Sequence, residues 1–172
     1  RTVFGGLFLF YVLCVLALVF FPLPDAAQAA KLSTHRIQLV PFQFVADLLR
    51  ETPLVLSDAR TYLPALLDRT VLQVVCNILM LLPFGMYLRY VCGLDLGKVA
   101  SLAFSAFIEL GQLTGLFFVF RGSYRLCDVD DLMLNTLGGL LGGELVHAME
   151  AYLPPLDAFD RFPGSSALAM QR

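Results

Sequence analysis

The sequence predicts an all-α integral membrane protein with four transmembrane helices and an interfacial or re-entrant segment in its first long loop. Hydrophobic residues make up 58% of the 172 residues, against about 45–50% in soluble domains. The mean hydropathy is +0.75. Four apolar runs approach the roughly 20 residues that a helix needs to cross a hydrocarbon core about 30 Å thick. The polar residues within these runs gather toward one end of the predicted bundle.

The first predicted transmembrane helix occupies residues 1–21. No charged residue interrupts the run Val3–Phe21. A cleaved signal peptide is the alternative, because the following PLPDAAQAA offers small residues at which cleavage can occur. The run is longer than the roughly 7–15 apolar residues of a signal peptide, so we expect a membrane span.

Residues 71–152 are predicted to form a core of three transmembrane helices. The three spans are Val71–Leu88, Val99–Phe120 and Leu132–Met149. Short connections between them predict antiparallel neighbours. The last span carries GGLLGG, in which small residues stand four apart, a spacing that lets helix backbones approach closely in lipid. We therefore expect the last helix to pack tightly against a neighbour.

Two other segments complete the predicted organisation. The loop at residues 22–70 contains the apolar stretch 37–49, IQLVPFQFVADLL, which is too short to cross a membrane. This stretch is predicted to lie in the interface or to dip partway into the bilayer. Residues 153–172 show no sustained periodicity and are predicted to form a mobile tail.

Several classes of function have little support. The net charge is −2 and the basic residues are scattered, so no nucleic-acid partner is expected. The cysteines show no CxxC spacing, and no HExxH, serine nucleophile or phosphate-binding glycine loop is present. Glu144 and His147 form a single ExxH without the partners that a di-iron site needs. We expect neither a metal nor a cofactor.

Glu109 is the polar residue that most needs an explanation. It stands near the middle of the third predicted span, where an ionisable group costs at least about 2.5–3.5 kcal/mol and by default marks a site. Gln112 follows one helical turn later on the same face, and Asn77 lies in the first half of the second span. The structural alternative is a protonated carboxyl that serves packing alone.

A second group of polar residues surrounds the start of the last span. Asp128, Asp131 and Asn135 share one helix face if the helix begins near Asp128, and Arg125 balances their charge. Asp130 is predicted to point elsewhere. These aspartates can simply complement the helix dipole, or they can form a cluster that binds a cation or a polar headgroup. A calcium or magnesium ion is disfavoured because no EF-hand or similar spacing is present.

Because the helices alternate in direction, these polar residues reach the same membrane face. The predicted functional cluster contains Asn77, Glu109, Gln112, Arg125, Asp128, Asp131 and Asn135.

The same residues carry a resemblance to a known family. NILMLLPFG at 77–85, the Ser105–Glu109–Gln112 spacing and RLCDVDDLMLNTLGGLLG at 125–142 resemble the VanZ-like family of bacterial membrane proteins. RIQLVPF resembles the family's NLxPF element, with Gln38 where asparagine is common. The resemblance covers about residues 38–143, and its motif positions coincide with the seven polar residues of the cluster.

The resemblance implies a role in the cell envelope and a link to resistance to the antibiotic teicoplanin. We expect a multi-pass protein of the bacterial cytoplasmic membrane whose cluster binds a lipid headgroup, a lipid-linked wall precursor or an amphiphilic glycopeptide. An activity as an enzyme is not expected, although a membrane enzyme acting on a lipid phosphate is the alternative. A third hypothesis is an ion or proton pathway built on Glu109.

The orientation is predicted with the N-terminus inside and the cluster outside. The count of Lys and Arg slightly favours the opposite orientation. The 49-residue loop is near the length at which that rule loses force, and a protein acting on wall material is expected to present its polar site outward.

Overall fold

The structure is a computed structural model that describes residues 2–160 and is mostly helical. The last part of the predicted tail, residues 161–172, lies outside the described residues. The helices are α1 (Thr2–Phe20), α2 (Ala26–Lys31), α3 (Gln43–Glu51), α4 (Tyr62–Leu66), α5 (Arg69–Tyr90), α6 (Gly97–Leu113), α7 (Gly115–Phe118), α8 (Val129–Met149) and α9 (Asp157–Asp160). Two short strands, β1 (Ile37–Gln38) and β2 (Cys127–Asp128), and a 3₁₀ turn at Ala59–Thr61 complete the described elements.

Two of the described helices, α1 and α5, are long and apolar enough to cross a membrane. The predicted set of four spans is therefore not confirmed. Helix α6 has 17 residues, which at 1.5 Å per residue gives a length of roughly 25 Å. Helix α8 is longer, but Asp130, Asp131 and Glu144 lower its hydropathy.

The predicted end of the third span at Phe120 is wrong. Helix α6 ends at Leu113, and α7 is a left-handed turn in which φ is 66° at Gly115, 59° at Leu116, 54° at Phe117 and 71° at Phe118. Glycine adopts this conformation at little cost, whereas other residues lose about 1–2 kcal/mol each. The apolar run continues, but its backbone changes from a right-handed to a left-handed conformation.

The expectation of a purely helical chain overlooked a small parallel sheet. Strands β1 and β2 pair with Ile37 opposite Cys127 and Gln38 opposite Asp128. The predicted interfacial segment 37–49 thus consists of β1, a turn and most of α3. Its first residues are attached to the loop that precedes α8.

Helices α5 and α8 pack closely through glycine, as the GGLLGG pattern predicts. A Cβ atom at Gly138 would lie 1.9 Å from the Ile78 carbonyl oxygen, and one at Gly142 would lie 2.0 Å from that of Leu82. At Gly139 a Cβ atom would lie 1.8 Å from a serine hydroxyl of α6. The close approach of helix backbones that the spacing predicts is confirmed.

Helix α1 packs against α5 and α6. Val19 and Phe20 belong to a buried apolar cluster with Ile108 of α6. At the other end of α1 the ring of Phe8 stacks on Tyr87 of α5, with 3.8 Å between the ring centroids. These contacts place the C-terminus of α1 beside the C-terminus of α6 and the start of α8.

Candidate functional site

The carboxylate of Glu109 holds the loop that leads into α8. The backbone N–H of Asp128 donates a hydrogen bond to Glu109 Oε2 at 2.9 Å, and the Cys127 thiol lies near this carboxylate. Glu109 itself is buried on α6. It therefore joins the C-terminal part of α6 to β2.

Asp128 begins α8 and connects it to β1. Its Oδ1 accepts the backbone N–H of Asp130 at 2.8 Å, which caps the helix, and the amide of Gln38 at 3.3 Å. Burial, together with the nearby carboxylates of Asp130 and Asp47, raises the pKa of Asp128. The capping role proposed as the simpler alternative for this residue is thus present in the structure.

Two amide side chains connect α8 to its neighbouring helices. The amide of Asn77 on α5 donates to Asp131 Oδ1. One turn further along α8, Asn135 Nδ2 donates to the hydroxyl of Ser105 on α6 at 3.1 Å. Asn135 is 1% exposed, and its Oδ1 has no hydrogen-bond partner among the described residues.

Gln112 and Arg125 contact the C-terminus of α1. Arg125 donates a hydrogen bond to the carbonyl of residue 21 at 2.6 Å. Tyr124 donates to the carbonyl of residue 20 at 3.0 Å, and Gln112 to that of residue 19 at 3.1 Å. These carbonyls have no partner within a regular helix end. In the described part of the chain Arg125 forms no ion pair with Asp128 or Asp131, so the predicted charge balance is replaced by a helix cap.

A cavity of about 310 Å³ lies between α1, α5, α6 and α8. We call it the central cavity, and it is lined by Leu18, Val19, Phe21, Cys76, Asn77, Met80, Ile108, Glu109, Gln112, Arg125, Asp131 and Asn135. It contains every member of the predicted cluster except Asp128. That residue lines a separate cavity of about 140 Å³ beneath α3, on the other side of Asp131.

Asp130 has a structural role that the sequence analysis missed. Its side chain is 3% exposed, and it accepts the backbone N–H of Phe42 at 2.6 Å and of Phe44 at 2.9 Å. A carboxylate in this position satisfies free N–H groups at the start of α3 and complements its dipole. No local pattern announces the contact, because its partners lie 86 and 88 residues away.

A comparison with protein families assigns the chain. A family model described as VanZ/LLP1 matches residues 8–149. The chain belongs to the VanZ/LLP1 family. The match includes α1, which precedes the motifs noted in the sequence, and it confirms the resemblance drawn from them. Neither the curated proteins nor the solved structures gave a significant match.

Membership in the VanZ/LLP1 family suggests a cell-envelope protein linked to antibiotic resistance. The family is typically membrane-associated, in agreement with the apolar helices α1 and α5. All seven residues of the predicted cluster lie within the matched range.

The described residues of this VanZ/LLP1 protein contain no group of three or more His, Cys, Asp or Glu side chains arranged to hold a metal ion. The ExxH pair lies at the opposite end of α8. There, His147 Nδ1 lies 3.0 Å from a guanidinium nitrogen of Arg89 and 3.4 Å from the carboxylate of Glu150.

Cys127 lies in β2, next to Asp128 and close to Glu109. Burial, and then the neighbouring Glu109 carboxylate, raise the pKa of Cys127 to about 11. Since the thiolate is the reactive form, we expect this cysteine to react slowly at neutral pH.

Proposed function

We propose that this VanZ/LLP1 protein is a multi-pass protein of the bacterial cytoplasmic membrane, and that its central cavity binds the polar headgroup of a lipid or a lipid-linked wall precursor. Occupancy of the cavity would change the supply or display of envelope lipids and thereby alter susceptibility to amphiphilic glycopeptides such as teicoplanin. The observation that carries this proposal is the mixed apolar and polar lining of the cavity.

The lining of the central cavity is mixed, with apolar and polar side chains. Leu18, Met80 and Ile108 contribute hydrocarbon, whereas Glu109 and Asn135 contribute buried polar atoms. An amphiphile presents the same two chemistries, with a polar headgroup joined to acyl chains. The lining therefore supports an amphiphilic ligand over a purely polar solute.

The size of the cavity favours a headgroup. About 310 Å³ is at the lower end of the roughly 300–1,000 Å³ of small-molecule pockets. A complete glycopeptide is larger than such a pocket. An effect on glycopeptide susceptibility is therefore proposed to act through a bound lipid.

The membrane placement rests on exposed apolar surface. Large apolar side chains such as Leu7, Phe10 and Leu18 on α1 are more than half exposed, a pattern that favours contact with lipid over contact with water. Helices α6 and α8 pack against α5 and would be carried into the bilayer with it. We propose that the N-terminus lies inside and the cluster faces outward.

The binding proposal is tested by native mass spectrometry of the protein extracted with its lipids. Met80→Trp places a larger apolar side chain in the cavity lining without removing a polar group. Leu79→Trp is the matched control, because the neighbouring side chain of α5 is exposed and does not line the cavity. We expect a retained lipid in the native protein and in the control, and its loss in Met80→Trp.

Two outcomes would contradict the proposal. One is a native protein that retains no lipid and whose deletion and overexpression leave glycopeptide susceptibility unchanged. The other is equal lipid retention by a folded Met80→Trp variant. Conversion of a retained lipid that is abolished by Glu109→Gln would instead establish the enzymatic alternative.

A further inference from the structure

Each amide side chain that lines the central cavity donates one hydrogen bond to the protein. Asn77 donates to Asp131, Asn135 donates to Ser105, and Gln112 donates to a carbonyl of α1. These contacts direct an N–H of each amide away from a ligand and toward a protein acceptor. One of the two N–H groups of each amide is therefore not available to a ligand.

Acceptor sites in the lining also remain without a protein partner within residues 2–160. Asn135 Oδ1 is fully buried and has no partner among the described residues. A carboxylate can accept about four hydrogen bonds. Asp131 receives its amide contacts at Oδ1, and Glu109 receives the Asp128 N–H at Oε2. An unpaired acceptor beside two carboxylates favours a ligand that donates hydrogen bonds and carries positive charge.

Arg125 supplies the opposite chemistry at the end of α1. Its guanidinium has five N–H donors, and it meets the carbonyl of Phe21 at 2.6 Å. It is the basic residue among the cavity-lining side chains of the described chain. An anionic group of the ligand would therefore lie on the Arg125 side of the cavity.

We infer that the central cavity selects a primary ammonium group, presented by a lipid whose phosphate lies toward Arg125, as in a phosphoethanolamine headgroup. This inference rests on the proposed function and specifies its ligand. The N–H groups of the ammonium donate to Asn135 Oδ1 and to the carboxylates of Glu109 and Asp131. A quaternary ammonium has no N–H and leaves Asn135 unpaired. A glycerol headgroup has hydroxyl donors but no positive charge.

The experiment reconstitutes the native protein in bilayers that contain equal amounts of phosphatidylethanolamine, phosphatidylcholine and phosphatidylglycerol with identical acyl chains. Native mass spectrometry then measures which lipid is retained. A hydrogen bond to a charged group is strong enough for an enrichment of roughly tenfold, so we expect phosphatidylethanolamine to be enriched by about that factor over each competitor.

A pair of variants tests the acceptors. Asp131→Asn replaces a carboxylate oxygen by a donor, and we expect it to abolish most of the enrichment. Asp95→Asn is the matched control, since Asp95 is exposed at the opposite end of the protein, where it pairs with Arg89. The competition in the native protein decides the question even if Asp131→Asn does not fold.

The outcomes separate this inference from the proposed function. If all three lipids are retained equally but Met80→Trp abolishes retention, the ammonium selectivity is wrong and headgroup binding stands. If retention does not depend on the cavity, both are wrong. Enrichment of phosphatidylcholine or phosphatidylglycerol would also overturn the inference.

Discussion

Replacement of Asp130 by alanine is expected to release α3 from the rest of the protein. The buried carboxylate accepts two backbone N–H groups at the start of α3, from Phe42 and Phe44. Alanine removes both acceptors. A helix of nine residues is marginal without such tertiary support.

The magnitude follows from these two contacts. Hydrogen bonds to a charged group contribute about 1.5–3 kcal/mol each, so the pair sets an upper limit of roughly 3–6 kcal/mol. Hydrogen bonds from the released N–H groups to water recover part of this free energy. We therefore expect the free energy of local opening of α3 to fall by about 2–4 kcal/mol. At about 1.4 kcal/mol per factor of ten, amide exchange in α3 should accelerate roughly 30-fold to 1,000-fold.

Hydrogen–deuterium exchange with peptide-level mass spectrometry measures this directly, with peptides from α5 as the internal reference. Asp130→Asn should give an intermediate acceleration, because one amide oxygen remains. Asp25→Ala is the matched control, since Asp25 also accepts a backbone N–H in a cap but lies on the surface beside α2. Unchanged exchange of α3 in a folded Asp130→Ala protein would refute the assigned role.

Three other substitutions or treatments test the fold. Gly139→Ala should destabilise the protein by about 1–3 kcal/mol or more by overpacking. Gly6→Ala is the control and should not, because nothing lies within 4 Å of a Cβ atom at that position. Equal thermal unfolding midpoints of the two variants in detergent would contradict the close packing. Phe118→Gly should stabilise the detergent-solubilised protein by about 1 kcal/mol by relieving a left-handed residue that is 82% exposed. Val119→Gly, at φ −65°, should destabilise it, and the same sign for both would refute the strain. Alkylation of Cys127 should keep accelerating up to about pH 11, because burial and Glu109 raise its thiol pKa to about 11 and only the thiolate reacts; a plateau below pH 9 would contradict this.

The slow reaction expected of Cys127 also affects the test of orientation. A reporter cysteine at Leu126, which is more exposed, is the better choice in a background lacking the native cysteines. Labelling of Leu126→Cys by an impermeant reagent in intact cells would support an outward cluster. Protection that is lost only after lysis would contradict it.

The sequence predicted those features that local patterns encode. The apolar runs located α1 and α5, and the GGLLGG spacing predicted the close packing of α8. The polar residues in and beside the predicted spans singled out the cluster, and all of its members except Asp128 line one cavity. Each of these signals lies within a single helix. Because consecutive helices alternate in direction, the polar ends of these helices were predicted to lie at the same end of the bundle.

The sequence could not reveal contacts between distant segments. The pairing of β1 with β2 and the capping of α3 by Asp130 each join residues almost 90 positions apart, and neither leaves a periodic pattern. The left-handed turn after Leu113 escaped prediction because LFFVF continues the apolar run. Gln112 and Arg125 were predicted as members of the polar cluster, since their carbonyl partners at the end of α1 carry no sequence signal.

The most direct test of headgroup binding is a density map of the protein purified in native lipid bilayers. We expect headgroup density in the central cavity, with a donor within hydrogen-bond distance of Asn135 Oδ1 and the phosphate beside Arg125. A cavity that contains only water, or that is closed by the side chains of its lining, would contradict the claim that this site binds an envelope lipid.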